Sequence, residues 1–170
     1  MSYLDAQKAA EIIRDAEGRI VGRTRLQKVG YLLYVAGLED RFHYTYRHFG
    51  PYSEELANGV RDASVLRLVY ETEQQATWGG TYSIYTANQI SAGTPPDSRR
   101  QLATEAASAD AVELELAATA IYLSKEGCGD PWGETARRKP EKAEAGRLDK
   151  AKALYLRLTD IRTPSPWPKL

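Results

Sequence analysis

The sequence predicts an α+β fold, mostly helical, with a winged-helix-like N-terminal lobe carrying a small β-hairpin and a helical C-terminal lobe. Three observations predict it. Residues 1–90 mix helix-periodic stretches with short aromatic or β-prone runs. Residues 97–162 show helical character alone. Between them, Ser91-Ala92-Gly93-Thr94-Pro95-Pro96 carries a glycine and a proline pair that block a continuing helix or strand. Six residues is an ordinary connection, so 1–170 reads as a single domain of two lobes, 1–90 and 97–162.

The first helix is expected over about 3–16, started by Ser2 and ended by Gly18, with Ala6, Ala9, Ala10, Ile13 and Ala16 near one stripe. A second follows over about 24–36. Thr24 and Gln27 have capping-box spacing, Gly37 is a helix-ending residue, and Leu26, Val29, Leu33 and Ala36 make the buried stripe. Residues 42–46 are aromatic and β-prone and read as a strand. Ser53 then caps a third helix reaching Ala63, with Glu54 and Glu55 complementing the dipole of its first turn. Residues 68–72 and 81–86 read as a hairpin turning near Gly79-Gly80. Helix, strand, helix and hairpin is a winged-helix order, although the usual unit has one more helix between strand and hairpin.

The C-terminal lobe is expected to hold helices at about 98–107 and 109–126, a third opened by Asp130-Pro131, and a last one over 140–159. Leu148, Ala151, Leu154, Tyr155 and Leu158 would line the buried face of that last helix. The Pro-rich tail around Pro164, Pro166 and Pro168 reads as a frayed end, with docking of Trp167 as the alternative.

Composition excludes several classes. The 170 residues can bury roughly 70 % of the surface of the unfolded chain, so the fold needs no disulfide or structural metal. Cys128 is the only cysteine, and with His43 and His48 alone beside it a Cys/His zinc site is not expected. No apolar run approaches the roughly 20 residues that span a bilayer, and the N-terminus does not read as a signal peptide. The expectation is a soluble, cytoplasmic chain with no membrane partner and no cofactor.

The 23 basic and 23 acidic side chains balance, which removes the simplest argument for nucleic-acid binding, but they are unevenly placed. Residues 102–134 hold seven acidic groups and one basic group, whereas 137–157 hold eight basic and three acidic. Helices of opposite sign are expected to pair within the fold; a basic surface offered to an acidic partner is the alternative.

No catalytic constellation is found. His43 and His48 would face opposite sides of a strand and turn. Gly79-Gly80 lacks the Lys-Ser or Lys-Thr of a phosphate loop. Glu113 and Glu115 stand two apart on a helix and do not converge. The third helix, in the position of a recognition helix, begins with Glu54 and Glu55, which repel phosphates, so DNA is a second reading. Arg19, Arg23, Arg25 and Lys28 cluster at the start of the second helix, as a solvated helix start or as a contact for an acidic partner. Tyrosine is frequent, with 11 copies against two Phe and three Trp. Most copies fall in the N-terminal lobe, where Tyr suits half-buried positions and interfaces.

Two runs together carry a family resemblance: Gly22-Arg23-Thr24-Arg25-Leu26-Gln27-Lys28-Val29-Gly30-Tyr31-Leu32-Leu33, and Tyr46-Arg47-His48-Phe49-Gly50-Pro51-Tyr52-Ser53-Glu54-Glu55-Leu56. A Leu-Gln-Lys helix followed by an aromatic strand and a Gly-Pro-Tyr-Ser turn resembles the YwgA-like proteins and the broader antitoxin-type Panacea domain group. The match covers about residues 5–86. It implies non-enzymatic binding of a protein partner, such as a toxin, by an antitoxin or proteolysis adaptor from a prokaryote or phage. No catalytic residue carries over. Read by themselves, Gly50-Pro51 set a turn, and Gln27 and Lys28 are placed to satisfy backbone carbonyls there.

The partner surface expected from these readings comprises Arg23, Arg25 and Lys28 on the helix flank, with Tyr46, His48 and Tyr52 beside them. The competing arrangement pairs Arg25 and Lys28 with Glu54 and Glu55. A winged-helix DNA-binding regulator is the alternative function.

Overall fold

The computed structural model describes residues 1–88 and 97–170; the expected connection at 91–96 lies outside the described residues. The chain runs α1 (Tyr3–Asp15), β1 (Arg19–Val21), α2 (Arg23–Val35), β2 (Thr45–Arg47), β3 (Gly50–Tyr52), α3 (Glu54–Val65), β4 (Val69–Gln75) and β5 (Thr81–Ala87). It continues through α4 (Ser98–Ser108), α5 (Ala111–Lys125), α6 (Pro131–Arg138), α7 (Pro140–Ala143) and α8 (Arg147–Thr159). The fold is α+β and mostly helical.

The strand missed by sequence reading completes the wing. β1 pairs antiparallel with β5, which pairs antiparallel with β4, giving the sheet order β1-β5-β4 with Ile20 opposite Tyr85. Both α2 and α3 therefore lie between the first strand and the hairpin. The helix that the sequence reading lacked is α2 itself, because the strand of the wing precedes it. At three residues, β1 is too short to display alternation.

The strand expected over 42–46 is shifted. Phe42 is buried in the core outside any strand, and β2 spans Thr45–Arg47. β2 pairs with β3, so Gly50-Pro51 is part of a strand and not a turn; His48 and Phe49 make the reversal. Neither residue takes positive φ. Gly50 does, at 91°, so the residue after the turn supplies the handedness that the hairpin needs.

Ser2 and Ser53 cap α1 and α3, their hydroxyls accepting from the Asp5 and Leu56 amides at 3.2 and 3.1 Å. The Thr24–Gln27 capping box does not form. The cap of α2 is Gly22, one residue before the helix begins, and Gln27 is engaged elsewhere. Asp130 and Pro131 open α6 as expected. The long last helix is instead two, α7 and α8, broken where Ala145 and Gly146 take φ of 57° and 77°.

One hydrophobic cluster runs from Ala6 and Ile13 of α1 through Leu32 of α2 and Leu114 of α5 to Leu158 of α8. α5 is its hub, with Leu114, Leu116, Ala117, Ala118, Ala120 and Ile121 all buried. Its small residues let α2, α6, α8 and β3 pack closely around it. The oppositely charged segments do pair, through Glu115 with Lys139 and Lys142 and through Glu105 with Arg157.

The tail is docked, not frayed. The Ser165 amide donates to the Ala36 carbonyl at 3.0 Å, Trp167 stacks edge-on against Tyr155, and the Tyr155 hydroxyl donates to the Pro168 carbonyl. Trp167 and Leu170 pack on the core cluster. Among the described residues, no helix is long and apolar enough to cross a membrane.

Candidate functional site

The two sequence runs meet in space and hold each other. The Gln27 amide nitrogen donates to the Ser53 carbonyl at 3.0 Å, and the Ser53 amide donates back to Gln27 Oε1 at 2.8 Å. Lys28 Nζ donates to the Pro51 carbonyl at 2.7 Å. These groups are buried, so each bond satisfies a backbone group that water cannot reach. Lys28 is thus in the interior, with 1 % of its surface exposed, because the turn of helix carrying it faces β3. It is not on a flank open to a partner, which corrects its place in the expected surface. Burial pulls its ammonium down to about 7, with Glu115 opposing and Lys139 and Lys142 adding to the shift.

The other expected residues divide among three places. Tyr46 and His48 line a groove of about 710 Å³ between the β2–β3 hairpin and the α6–α7 junction, shared with Arg47, Arg138, Lys139 and Lys142. Tyr52 and Arg23 border a smaller cleft of about 190 Å³ against Val60 and Tyr85. Arg23 and Arg25 also line a third groove, of about 740 Å³, with Phe49, Trp78 and Tyr82. The six residues therefore do not form one surface.

Arg25 is half-buried and tethered. Its guanidinium donates to the Ala109 carbonyl at 3.1 and 2.9 Å and to the Val21 carbonyl at 2.7 Å, joining the start of α2 to the α4–α5 corner. Arg23 is exposed and lies 3.9 Å from Glu73. The expected alternative pairing of Arg25 and Lys28 with Glu54 and Glu55 does not occur. Glu54 lies 3.7 Å from Arg47, and Glu55 accepts from the His43 amide at 3.0 Å.

The third groove is rimmed by large exposed rings. Trp78, at the tip between β4 and β5, is 75 % exposed; Phe49, at the β2–β3 turn, is 50 %; Tyr82 is 37 %. Sequence reading passed over Trp78 and Phe49 because each is a single aromatic in a turn, with no periodic pattern around it to mark its exposure.

The first groove is built differently. Glu115, which the sequence reading set aside, is 3 % exposed. It accepts from Lys142 at 2.9 and 2.7 Å and lies 3.1 Å from Lys139. Lys139 also donates to the His48 carbonyl at 3.1 Å, fastening the hairpin turn to the helical lobe. The Arg138 guanidinium stands 5.2 Å from the Tyr46 ring and the Lys142 ammonium 4.6 Å from the Phe49 ring, both within cation–π range. Among the described residues no group of three or more His, Cys, Asp and Glu side chains could hold a metal.

Comparison of the chain with family models, with curated proteins and with solved structures gives no match.

Proposed function

We propose that the chain is a non-enzymatic protein-binding module acting in the cytoplasm, of the antitoxin or proteolysis-adaptor kind that its N-terminal motifs resemble. Its partner docks on the groove rimmed by Phe49, Trp78 and Tyr82, with Arg23 at the edge. The observation that carries this reading is the 75 % exposure of Trp78 beside two further exposed rings and an arginine. Trp, Tyr and Arg are the types that dominate binding energy at interfaces, and leaving an indole in water forgoes the stabilisation its burial brings. Trp78→Ala, with Arg23→Glu as a second variant, tests it. Each is expected to fold normally by circular dichroism and to lose the protein that the wild-type chain captures from native lysate. Retention of that protein by both folded variants removes this face as the docking site.

A DNA-binding regulator is the second reading, favoured by the winged-helix sheet order alone. Against it, α3 places Glu54 and Glu55 in the first turn and keeps them exposed. Weak, salt-sensitive binding to random duplex is the expected result; a single enriched genomic site bound at about 10⁻⁸ M reverses the ranking.

A further inference from the structure

We propose that the groove between the β2–β3 hairpin and the α6–α7 junction binds a phosphorylated small molecule, its phosphate held by Arg47, Arg138, Lys139 and Lys142. The proposal does not depend on the docking face at Trp78. Its first support is unbalanced charge. A single buried carboxylate, Glu115, holds two ammonium groups, Lys139 and Lys142. The guanidinium groups are also shared. Arg138 meets Glu134 at 2.9 Å, but Glu134 is bonded to Arg137 as well; Arg47 reaches Glu54 only at 3.7 Å. Glu141 is the one carboxylate lining the groove. The lining itself thus carries four cations against one carboxylate, while Glu54, Glu115 and Glu134 pair with those cations from outside it. A dianionic phosphate entering the groove meets several cations at one point, more than a carboxylate can engage.

The second support is shape. About 710 Å³ falls in the range of small-ligand sites, and the Tyr46 ring and Pro140 supply an apolar wall beside the cations. An extended acidic peptide spreads its charges along several ångströms per residue, whereas Lys139 and Lys142 converge on one carboxylate group. The third support is preorganisation. Lys139 is fixed by the His48 carbonyl and Glu115, and the Arg138 guanidinium by Glu134, so little side-chain entropy remains to be lost on binding.

Calorimetric titration with inorganic pyrophosphate, then with adenosine monophosphate, at low salt and neutral pH tests this on the full chain. Saturable one-to-one binding tighter than about 1 mM is expected for at least one of them. Arg47→Gln, at an exposed position, and Lys142→Gln, which leaves Lys139 on Glu115, are each expected to weaken it by about tenfold. Arg61→Gln on α3 is expected to change nothing, and Lys142→Arg to restore most of the affinity. Absence of saturable binding, or equal affinity in folded Arg47→Gln and Lys142→Gln proteins, overturns the proposal. So does binding of a duplex oligonucleotide that both variants abolish while neither small phosphate binds, because the groove then serves a macromolecular phosphate.

Discussion

Gln27 and Ser53, 26 residues apart, pair as two strands would: the side-chain amide of one donates to and accepts from the backbone of the other. A polar side chain inside α2 thereby substitutes for the missing neighbour of a peptide group at the start of α3. Gln27→Met keeps the volume but leaves the buried Ser53 amide unpaired, while the Ser53 carbonyl keeps the Ala57 amide as its donor. At about 1–3 kcal/mol for one unsatisfied buried group, the expected loss is about 1–3 kcal/mol. Urea denaturation measures it, and a loss below about 1 kcal/mol means that water reaches Ser53.

Gly50 is expected to tolerate no β-branched residue. Its φ of 91° is a glycine conformation, and a Cβ there would stand 2.7 Å from Thr119 Oγ1. Gly50→Val should cost well over 1 kcal/mol, roughly, from strain and overlap together. Thr119→Ala in the same chain should recover the overlap but not the strain. Thermal melting of the two variants separates these contributions; complete recovery in the double variant places the whole cost in the overlap.

Stability should rise with pH above neutrality because of Lys28. Its pKa falls from an ordinary 10.5 to about 7 in the fold. Between those values the unfolded chain holds the proton and the folded chain does not, so folding gains as pH increases. Below about 7 both states are protonated and the slope from this group disappears. Tyr31 and Tyr44, whose phenols burial holds well above their ordinary range, oppose the gain only in strong alkali. Unfolding free energies at a series of pH values for wild type and Lys28→Met provide the check. The variant should lose the rise between about pH 7 and 9.5; an equal rise in both chains assigns it to other groups.

The two tryptophans outside the helices should respond oppositely. Trp167 packs on Tyr155 and the core, and its replacement by Ala should lower stability by about 1–3 kcal/mol. Trp78→Ala should stay within about 0.5 kcal/mol of wild type, as exposed positions do. Matched chemical denaturation curves decide both.

The helices were legible in the sequence because caps and periodicity lie within a few residues of one another. Ser2, Ser53 and Asp130 each mark a start that the fold uses. The failures fall where the deciding partner is distant. Thr24 and Gln27 have capping-box spacing, but Gln27 has a stronger use in the buried Ser53 backbone. The three residues of β1 carry no alternation of their own and become a strand only because β5 offers an edge. Ala145 gives no warning of a positive φ, so α7 and α8 looked continuous. Of the candidate surface, the partnership of Gln27 and Lys28 with the Gly-Pro-Tyr-Ser run was readable from motif proximity. The burial of Lys28 and the gathering of Lys139 and Lys142 on Glu115 depend on the packing of α5 against β3, which local spacing does not express.

That packing also dictates an order of events at the ribosome. The β2–β3 hairpin emerges early, yet a two-stranded ribbon is marginal in water by itself. Two of its supports, α5 and the Lys139 ammonium that grips the His48 carbonyl, are translated much later. Until they arrive, Tyr31 and Tyr46 lack the Tyr122 ring, and Tyr46 also lacks the Arg138 guanidinium. The C-terminal helices therefore act toward the first half as a built-in folding template.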